Sequence, residues 1–280
     1  MLPIRVRQAP NFVSALIRRA RLLQQPAQPQ RRFHLCYFSC YSYFAYLYCA
    51  IDSVARHVKQ PCTVYLFNDQ EQPLSDEQIE RLRERMPDLK VFLWPKSMGW
   101  GAAQIQTIWQ AYGLAAEQAA DDDIIARVDS DVFFFNDRIF QVAQRSEADV
   151  IGDGHFVGFE YSQGGCYFLK ASAVRRINAW LARRDMDEAL AGAAIKVEDV
   201  AMHHFARSVG LDILLTWFMM FPDELRNAGG LTAWQRYKFS CLHFVMKNKR
   251  GMLDAYLDQV LAPAERGAFL AAAGLPAPAA

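Results

Sequence analysis

The amino-acid sequence predicts an α/β protein with one mostly parallel central sheet, helices on both faces of that sheet, and a basic helix in front of it. Short runs of strand-forming residues alternate with helical segments from residue 33 to residue 216, which is typical of successive βαβ units. Hydrophobic residues make up 52% of the 280 residues and charged residues 22%, so the chain is not a disordered one. Ligands bind beyond the carboxyl ends of the strands in such sheets, and an acidic triplet directly follows one predicted strand.

The individual elements follow from apolar runs, helical spacing and local stop signals. Strands are expected at Phe33–Phe38, Cys62–Phe67, Lys90–Trp94, Asp123–Val128, Asp149–Ile151, Cys166–Leu169 and Leu211–Thr216, with an extended segment at Phe239–Val245. Helices are expected at Tyr43–Val58, 75–86, Ala103–Gln118, Arg138–Gln144, Ala171–Arg184, Glu198–Val209 and 252–273. Ser75 and Gln78 have the spacing of a capping box, and loops are expected at Gly152–Gly158 and at Gly164-Gly165.

Residues 1–32 predict a basic amphipathic arm ahead of the folded domain. They hold seven arginines and no acidic residue, which leaves the rest of the chain mildly acidic. Apolar residues recur at helical spacing over residues 12–23, while Arg18, Arg19 and Arg21 lie largely off that stripe. Such a helix can lie on an anionic membrane surface, can pack on the folded body, or can belong to a transit peptide, and the sequence leaves all three open.

The composition divides the chain into an arm, one folded domain and a tail. Residues 24–30 are rich in Pro and Gln and close the arm as a linker, residues 33–272 form the domain, and residues 273–280 form a flexible tail. No apolar stretch reaches the roughly 18 residues that a membrane-spanning helix needs. We therefore expect a cytoplasmic protein, which becomes peripheral at the inner face of the membrane if the arm binds lipid.

Charge and cysteine spacing exclude several other classes. A formal net charge of +1 does not suit a dedicated nucleic-acid-binding protein, so no nucleic-acid partner is expected. The six cysteines contain no CxxC pair, which argues against a zinc ribbon. A disulfide framework is not expected in a chain of this length without a clear secretory signal, so we expect buried thiols in a reducing compartment.

Asp129 and Asp131 flank Ser130 directly after the predicted strand Asp123–Val128. In an extended segment, residues i and i+2 point to the same side, where two carboxylates repel each other unless a cation lies between them. Mg²⁺ and Mn²⁺ prefer oxygen ligands, and Mg²⁺ sites usually combine one or two carboxylates with phosphates. The pair therefore predicts a metal–diphosphate site, and the alternative is a solvated acidic turn in which Asp131 or Asn136 is a cap.

Glu198 and Asp199 begin a predicted helix. Acidic residues at a helix N-terminus are stabilised by the helix dipole, and this alone can account for the pair. A carboxylate held near a reacting hydroxyl group can instead act as a general base.

His243 lies in an apolar segment that Lys247 and Lys249 follow. A single histidine in such a segment is usually a core residue. A neutral imidazole can also complete a metal shell, and lysines can bind phosphates.

Four segments in this order resemble the GT-A-fold nucleotide-sugar glycosyltransferases. They are IIARVDSDVFF (124–134), QGGCYFL (163–169), VEDVAMHHF (197–205) and CLHFVMK (241–247), within a resemblance that covers roughly residues 33–250. The first contains a DxD motif and the third an ED motif, and the last contains a late histidine. No single motif decides the resemblance; their order and spacing do.

The resemblance implies a metal site that bridges the donor diphosphate. Asp131, with Asp129, would bind Mn²⁺ or Mg²⁺, and His243 would be a further ligand. The metal charge would stabilise the departing nucleoside diphosphate as a Lewis acid. Lys247 or Lys249 would contact the phosphates of the donor.

The resemblance also implies an acceptor side. Asp199 would be the general base that activates an acceptor hydroxyl in an inverting displacement, and Glu198 would orient it or touch the acceptor. Gly164 and Gly165 would let the backbone approach the acceptor sugar closely.

The nucleoside would lie beyond the first two strands. Phe38 and Ser39 follow the first strand and Asn68 and Asp69 the second, and with Asp129 these residues would bind the donor. The implied donor is a UDP-sugar, and the implied acceptor is a glycan or a lipid-linked saccharide.

One departure from the family pattern and two alternative functions stay open, as does the choice between inversion and retention. The sequence HFVMKNK after the histidine lacks the HxxGxxK pattern of some retaining members, and the ED motif fits an inverting enzyme better. A haloacid-dehalogenase-like phosphatase also uses DxD after an apolar strand, but it prefers Thr or Val where this chain has Phe133 and places the motif near its start. An inactive sugar-binding or scaffold domain held at a membrane is the alternative that is not an enzyme.

Overall fold

The structure, a computed structural model, describes residues 4–26, 31–95, 101–156, 160–220, 232–243 and 249–276. Within these residues the strands form a seven-stranded sheet and a small three-stranded sheet. The strands are β1 (Phe33–Ser39), β2 (Cys62–Asp69), β3 (Leu89–Trp94), β4 (Ile124–Val128), β5 (Val132–Phe134), β6 (Val150–Phe156), β7 (Glu160–Lys170), β8 (Ile213–Thr216), β9 (Met219–Met220) and β10 (Cys241–His243). The helices are α1 (Ile4–Gln24), α2 (Phe44–His57), α3 (Asp76–Arg85), α4 (Ala102–Glu117), α5 (Arg138–Arg145), α6 (Ala171–Leu181), α7 (Met186–Ala189), α8 (Glu198–Ser208), α9 (Ala233–Lys238), α10 (Lys249–Val260) and α11 (Pro263–Ala272).

The large sheet has the strand order β3-β2-β1-β4-β7-β6-β8. β3, β2, β1 and β4 run parallel to one another, as successive βαβ units require, and β8 runs parallel to β6. β7 runs antiparallel to both of its neighbours, β4 and β6. The prediction of a mostly parallel sheet is confirmed.

Helices cover both faces of the large sheet because its central strands are apolar on both sides. In β1, Leu35 and Tyr37 pack in a core with α2 and α5, while Cys36 and Phe38 pack on the opposite side with α4, α6 and α8. Burial of alternate residues in two cores accounts for the continuous apolar runs in the sequence.

The small sheet brings a distant segment beside the acidic triplet. β5 begins directly after the triplet, and β10 pairs with it in antiparallel register, with His243 opposite Val132. The sequence analysis did not expect β5, because three residues are too few to show strand periodicity and its partner lies far along the chain.

Two loop predictions are wrong, and both concern the hairpin of β6 and β7. β6 continues to Phe156 through most of the expected loop Gly152–Gly158, and β7 begins at Glu160. Gly164 and Gly165 therefore lie inside a strand instead of preceding one. β6 and β7 pair in antiparallel register on both sides of Gly164 and Gly165, and the register shifts opposite them, a place in a strand where glycine is common.

Two helix boundaries follow from local start signals. The predicted capping box is confirmed, because the Gln78 N–H donates to Ser75 Oγ at 3.2 Å and the Ser75 N–H donates to Gln78 Oε1 at 3.0 Å. The single helix expected at 252–273 is two helices. α10 ends at Val260 and α11 begins at Pro263, a residue that suits the first position of a helix.

α1 packs on the body against α5 and β8. Arg19 is only 3% exposed, and it donates to the Trp217 carbonyl at 2.9 Å and to Ser240 Oγ at 3.0 Å. These acceptors allow a guanidinium group outside the apolar stripe to be buried. By contrast, two apolar residues of α1 face the solvent, since Val13 is 53% and Ile17 46% exposed. No helix in the described part of the chain has the length and apolar character that crossing a membrane requires.

Some expectations fall outside the described residues. They concern residues 27–30 of the linker, 157–159 of the expected loop, 244–245 of the extended segment, Lys247, and residues 277–280 of the tail. The domain limits at residues 33 and 272 stay predictions.

Candidate active site

The acidic triplet 129–131 lies at the carboxyl end of β4, in the middle of the large sheet. Ser130 Oγ donates to the Phe38 carbonyl of β1 at 2.9 Å, and the Asp129 N–H donates to the Gly165 carbonyl of β7 at 2.9 Å. The triplet is thus tied to both strands beside β4.

Asp129, Asp131 and His243 form a cluster that could hold a metal ion. One ligand atom from each residue lies within 4.8 Å of the others. His243 Nε2 is 3.6 Å from Asp129 Oδ2 and 3.7 Å from Asp131 Oδ1. Two ligand atoms that are each about 2.1 Å from one ion lie roughly 3.0–3.6 Å apart, so these separations fit a shared ion. Two carboxylates and an imidazole suit Mn²⁺ or Mg²⁺ in the presence of phosphate.

The two carboxyl groups of the cluster have opposite pKa shifts. Burial raises the pKa of Asp131, and the charge of Asp129 beside it adds to that shift. Burial also opposes ionisation of Asp129, but Arg127 and His243 hold its pKa below the ordinary value. The Asp129 side chain is 31% exposed and that of Asp131 7%, and a bound cation would compensate the negative charge of the two neighbouring carboxylates.

Lys249 places a cation against the same cluster. Its Nζ is 2.5 Å from Asp131 Oδ2 and 2.9 Å from the Tyr43 hydroxyl, and it lies 4.6 Å from the centre of the Tyr43 ring. Lys249 therefore lies within reach of any phosphate that binds at Asp131. Lys247, the other predicted phosphate ligand, lies outside the described residues.

The residues predicted to hold the donor nucleoside lie at two adjacent strand ends. Ser39 pairs in register with Asn68, which places the ends of β1 and β2 side by side, next to β4. Asn68 Oδ1 accepts a hydrogen bond from the Leu74 N–H at 2.9 Å, and Asp69 Oδ1 accepts one from the Glu71 N–H at 2.8 Å. These two side chains hold the loop that follows β2.

The two acids at the start of α8 point in different directions. Asp199 packs on β7, where a Cβ at Gly164 would lie 2.9 Å from the Asp199 Cβ. Burial raises the pKa of Asp199, against a hydrogen bond from the Val200 N–H. Glu198 instead enters the interior and pairs with the Arg127 guanidinium. Adjacent helix positions diverge by about 100°, so only one of the two acids can face β7 at Gly164.

The consecutive glycines of β7 are covered by protein side chains. A Cβ at Gly165 would lie 2.5 Å from His243 Nδ1 and Cε1, and a Cβ at Gly164 would meet Asp199. The register of β7 with β6 shifts beside the two glycines, so the histidine and the aspartate pack against consecutive residues of an irregular stretch of β7. The acceptor role of the two glycines stays a prediction.

The sequence analysis missed Arg127, Tyr112 and Tyr167. Burial raises the pKa of Glu198 to about 7, against Arg127 and the Tyr167 hydroxyl, which both favour the carboxylate. Tyr112 bonds to Tyr167 through the two hydroxyl groups at 2.8 Å. A charged residue inside the apolar strand IIARV, two positions before Asp129, is the signal that could have identified Arg127.

Solved structures share this architecture. No protein-family model and no curated protein matches the sequence. The galactosyltransferase LgtC, in complex with donor and acceptor sugar analogs, is 12% identical over 85% of this chain and 100% of LgtC, with a TM-score of 0.53. The apo structure of the bifunctional glycosyltransferase WbbM is 11% identical over 89% of this chain and 52% of WbbM, with a TM-score of 0.57. The chain has the fold of the GT-A glycosyltransferases. It spans about half the length of WbbM.

The GT-A fold explains the position of the cluster. Asp129 and Asp131 follow β4, and the strand order β3-β2-β1-β4 changes direction between β1 and β4, which is where ligands bind in open α/β sheets. The fold predicted from the four segments is confirmed.

Gly165→Ala tests the contact between β7 and His243. The added methyl group would meet the imidazole at 2.5 Å, so the ring or the strand must move and the three ligand atoms separate. We expect Mn²⁺ affinity, measured by calorimetry, to fall about tenfold or more, as for other losses of support around a metal ligand.

Gly267→Ala is the matched control, because Gly267 is an exposed helix position at which a Cβ meets nothing within 4 Å. Unchanged Mn²⁺ affinity in Gly165→Ala would contradict the role given to this contact.

Proposed function

We propose that the protein is a metal-dependent glycosyltransferase that transfers a sugar from a UDP-sugar to a hydroxyl group of a glycan or lipid-linked saccharide, with inversion. The observation that carries the proposal is the cluster of Asp129, Asp131 and His243 at the carboxyl end of β4 in a GT-A fold. The donor and acceptor sugar analogs bound to LgtC support a sugar donor and a sugar acceptor for a protein of the same fold.

The donor half of the mechanism rests on charge. Asp129, Asp131 and His243 would hold Mn²⁺ or Mg²⁺, and such an ion neutralises the diphosphate of the leaving group. Lys249, at 2.5 Å from Asp131 Oδ2, would contact the same phosphates. Phe38 and Ser39, where the ends of β1 and β2 lie side by side, would bind the nucleoside next to the phosphates.

The acceptor half rests on Asp199. Burial raises the pKa of Asp199, so its carboxylate is a stronger base than that of an ordinary aspartate. As the pH falls, Asp199 therefore becomes protonated, and stops acting as a base, at a higher pH than an ordinary aspartate does. Both oxygens of Glu198 already have internal partners, Arg127 and Tyr167, so Asp199 is the better candidate to take a proton from the acceptor hydroxyl.

A cleft lined by Val200, the residue that follows Asp199 in α8, could accommodate the acceptor. It has a volume of about 320 Å³ and is lined by Glu160, His203 and Arg207, among others. His203 lies one helical turn after Asp199 on the same face of α8. Charged and imidazole groups of this kind can form hydrogen bonds with saccharide hydroxyl groups.

Asp131→Asn tests the donor site. The amide keeps the size of the side chain and removes the charge of a metal ligand, so we expect loss of Mn²⁺-dependent UDP binding in calorimetry and loss of UDP release from UDP-sugars. The exposed Asp122→Asn is the matched control and should behave as the wild type. Full Mn²⁺-dependent UDP binding by Asp131→Asn would contradict the metal assignment.

Asp199→Asn, in the same assays, should keep UDP binding and lose transfer.

A lipid-linked acceptor lies at a membrane surface, so the proposal includes a peripheral membrane location for the protein. Val13 and Ile17 are exposed on α1, and Arg18 and Arg21 are exposed on adjoining parts of the same outer surface. Apolar side chains beside basic ones are typical of a helix that lies on an anionic membrane.

Vesicle sedimentation tests this location. We expect the protein to sediment with vesicles that contain an anionic lipid and not with neutral vesicles. Reversal of both charges, Arg18→Glu with Arg21→Glu, should weaken binding about tenfold or more, because each basic residue contributes about 1 kcal/mol at such a surface. Equal recovery with both kinds of vesicle, or with neither, would remove the membrane from the proposal.

A further inference from the structure

We propose that Arg127 is the positioning residue of the metal cluster. Its guanidinium group holds one oxygen of Asp129 and leaves the other oxygen for the metal, and Glu198 holds the guanidinium group in turn. This inference rests on the metal site of the proposed function, and it gives Arg127 and Glu198 a role that the sequence did not assign to them.

The two oxygens of Asp129 have different surroundings. Arg127 Nε donates to Oδ1 at 3.0 Å, and Arg127 Nη2 donates to the same oxygen at 2.9 Å. The other oxygen, Oδ2, is the one that lies 3.6 Å from His243 Nε2. Two donors of one rigid guanidinium plane on Oδ1 restrict rotation of the carboxylate, so Asp129 would offer the metal Oδ2 alone.

The guanidinium group is itself held from the opposite side. Its Nη1 pairs with Glu198 Oε2, and Glu198 Oε1 accepts a hydrogen bond from the Tyr167 hydroxyl. Because the Tyr167 hydroxyl proton is used on Glu198, the Tyr112 hydroxyl donates to the Tyr167 oxygen at 2.8 Å. Arg127 and Tyr167 are also direct cross-strand partners in β4 and β7. Side chains from β7, α4 and α8 therefore fix Arg127, the β4 residue that orients Asp129.

The charges of the arrangement favour the same conclusion. A buried guanidinium group needs an anionic partner, and with Asp129 as its sole partner it would draw on the charge that binds the metal. Glu198 supplies a second negative charge to Arg127. Loss of Glu198 should therefore weaken metal binding although Glu198 does not belong to the cluster.

The same contacts argue against an acceptor contact for Glu198. The Glu198 side chain is 11% exposed, and each of its oxygens already has an internal partner. An acceptor hydroxyl would have to share these oxygens with Arg127 and Tyr167.

The decisive measurement is the affinity of Mn²⁺ for the protein without nucleotide, by calorimetry and by the electron paramagnetic resonance signal of free Mn²⁺. Arg127→Lys keeps the positive charge and loses the two-donor fork, so we expect Mn²⁺ affinity to fall about tenfold or more. Glu198→Gln, which keeps the size of the side chain, should also lower Mn²⁺ affinity. In the double variant the two losses should be less than additive, because both residues act on Asp129 as one unit.

Arg175→Lys is the control for the same substitution away from the cluster, since Arg175 in α6 pairs with the exposed Asp121 and donates to the Ala116 and Ala119 carbonyls. Thermal unfolding of each variant separates loss of metal affinity from loss of the fold. If Arg127→Lys or Glu198→Gln does not fold, Tyr167→Phe tests the same arrangement, because it removes only the hydroxyl group that donates to Glu198 and should also lower Mn²⁺ affinity.

The outcomes are distinct. Wild-type Mn²⁺ affinity in Arg127→Lys, Glu198→Gln and Tyr167→Phe would overturn the positioning role and leave the metal site intact. A changed acceptor KM in Glu198→Gln with unchanged Mn²⁺ affinity would also overturn it. A wild-type protein that binds no Mn²⁺ would overturn both this inference and the proposed metal-dependent function.

Discussion

The lack of side chains at two consecutive positions of β7 is the constraint on which the site depends. At Gly165 the imidazole of His243 occupies the space of a Cβ, and at Gly164 the carboxymethyl group of Asp199 does so. The two residues thus pack against consecutive positions of β7, and β4 with its acidic triplet is the direct neighbour of β7. A larger residue at either position would move one proposed functional group away from the others.

The topology brings the charges to this place, and pairwise contacts balance them. Asp129 and Asp131 are adjacent to two cations, Arg127 on the interior side and Lys249 on the other. Arg127 is balanced further by Glu198, whereas Lys249 rests on the Tyr43 ring and hydroxyl. The Arg127 and Glu198 side chains are 16% and 11% exposed, whereas Lys249 on the other side of the cluster is 25% exposed.

The sequence predicted what depends on local patterns. Asp129 and Asp131 were found because they directly follow an apolar strand, and the alternation of strands and helices indicated the parallel sheet. Long-range packing determines the rest. His243 reaches the cluster through pairing of the short strands β5 and β10, and no local pattern fixes that register. The glycines suggested a loop because glycine alone signals a turn, whereas here the packing of His243 and Asp199 requires it.

The central claim is that Asp129, Asp131 and His243 bind one metal ion beside a nucleoside diphosphate. A crystal structure with Mn²⁺ and UDP, with anomalous scattering recorded at the manganese edge, tests it most directly. The account predicts one anomalous peak about 2.1 Å from Asp129 Oδ2, an Asp131 oxygen and His243 Nε2, and in contact with the diphosphate. Bound UDP with no peak at these three residues, or with a peak elsewhere, would contradict the account.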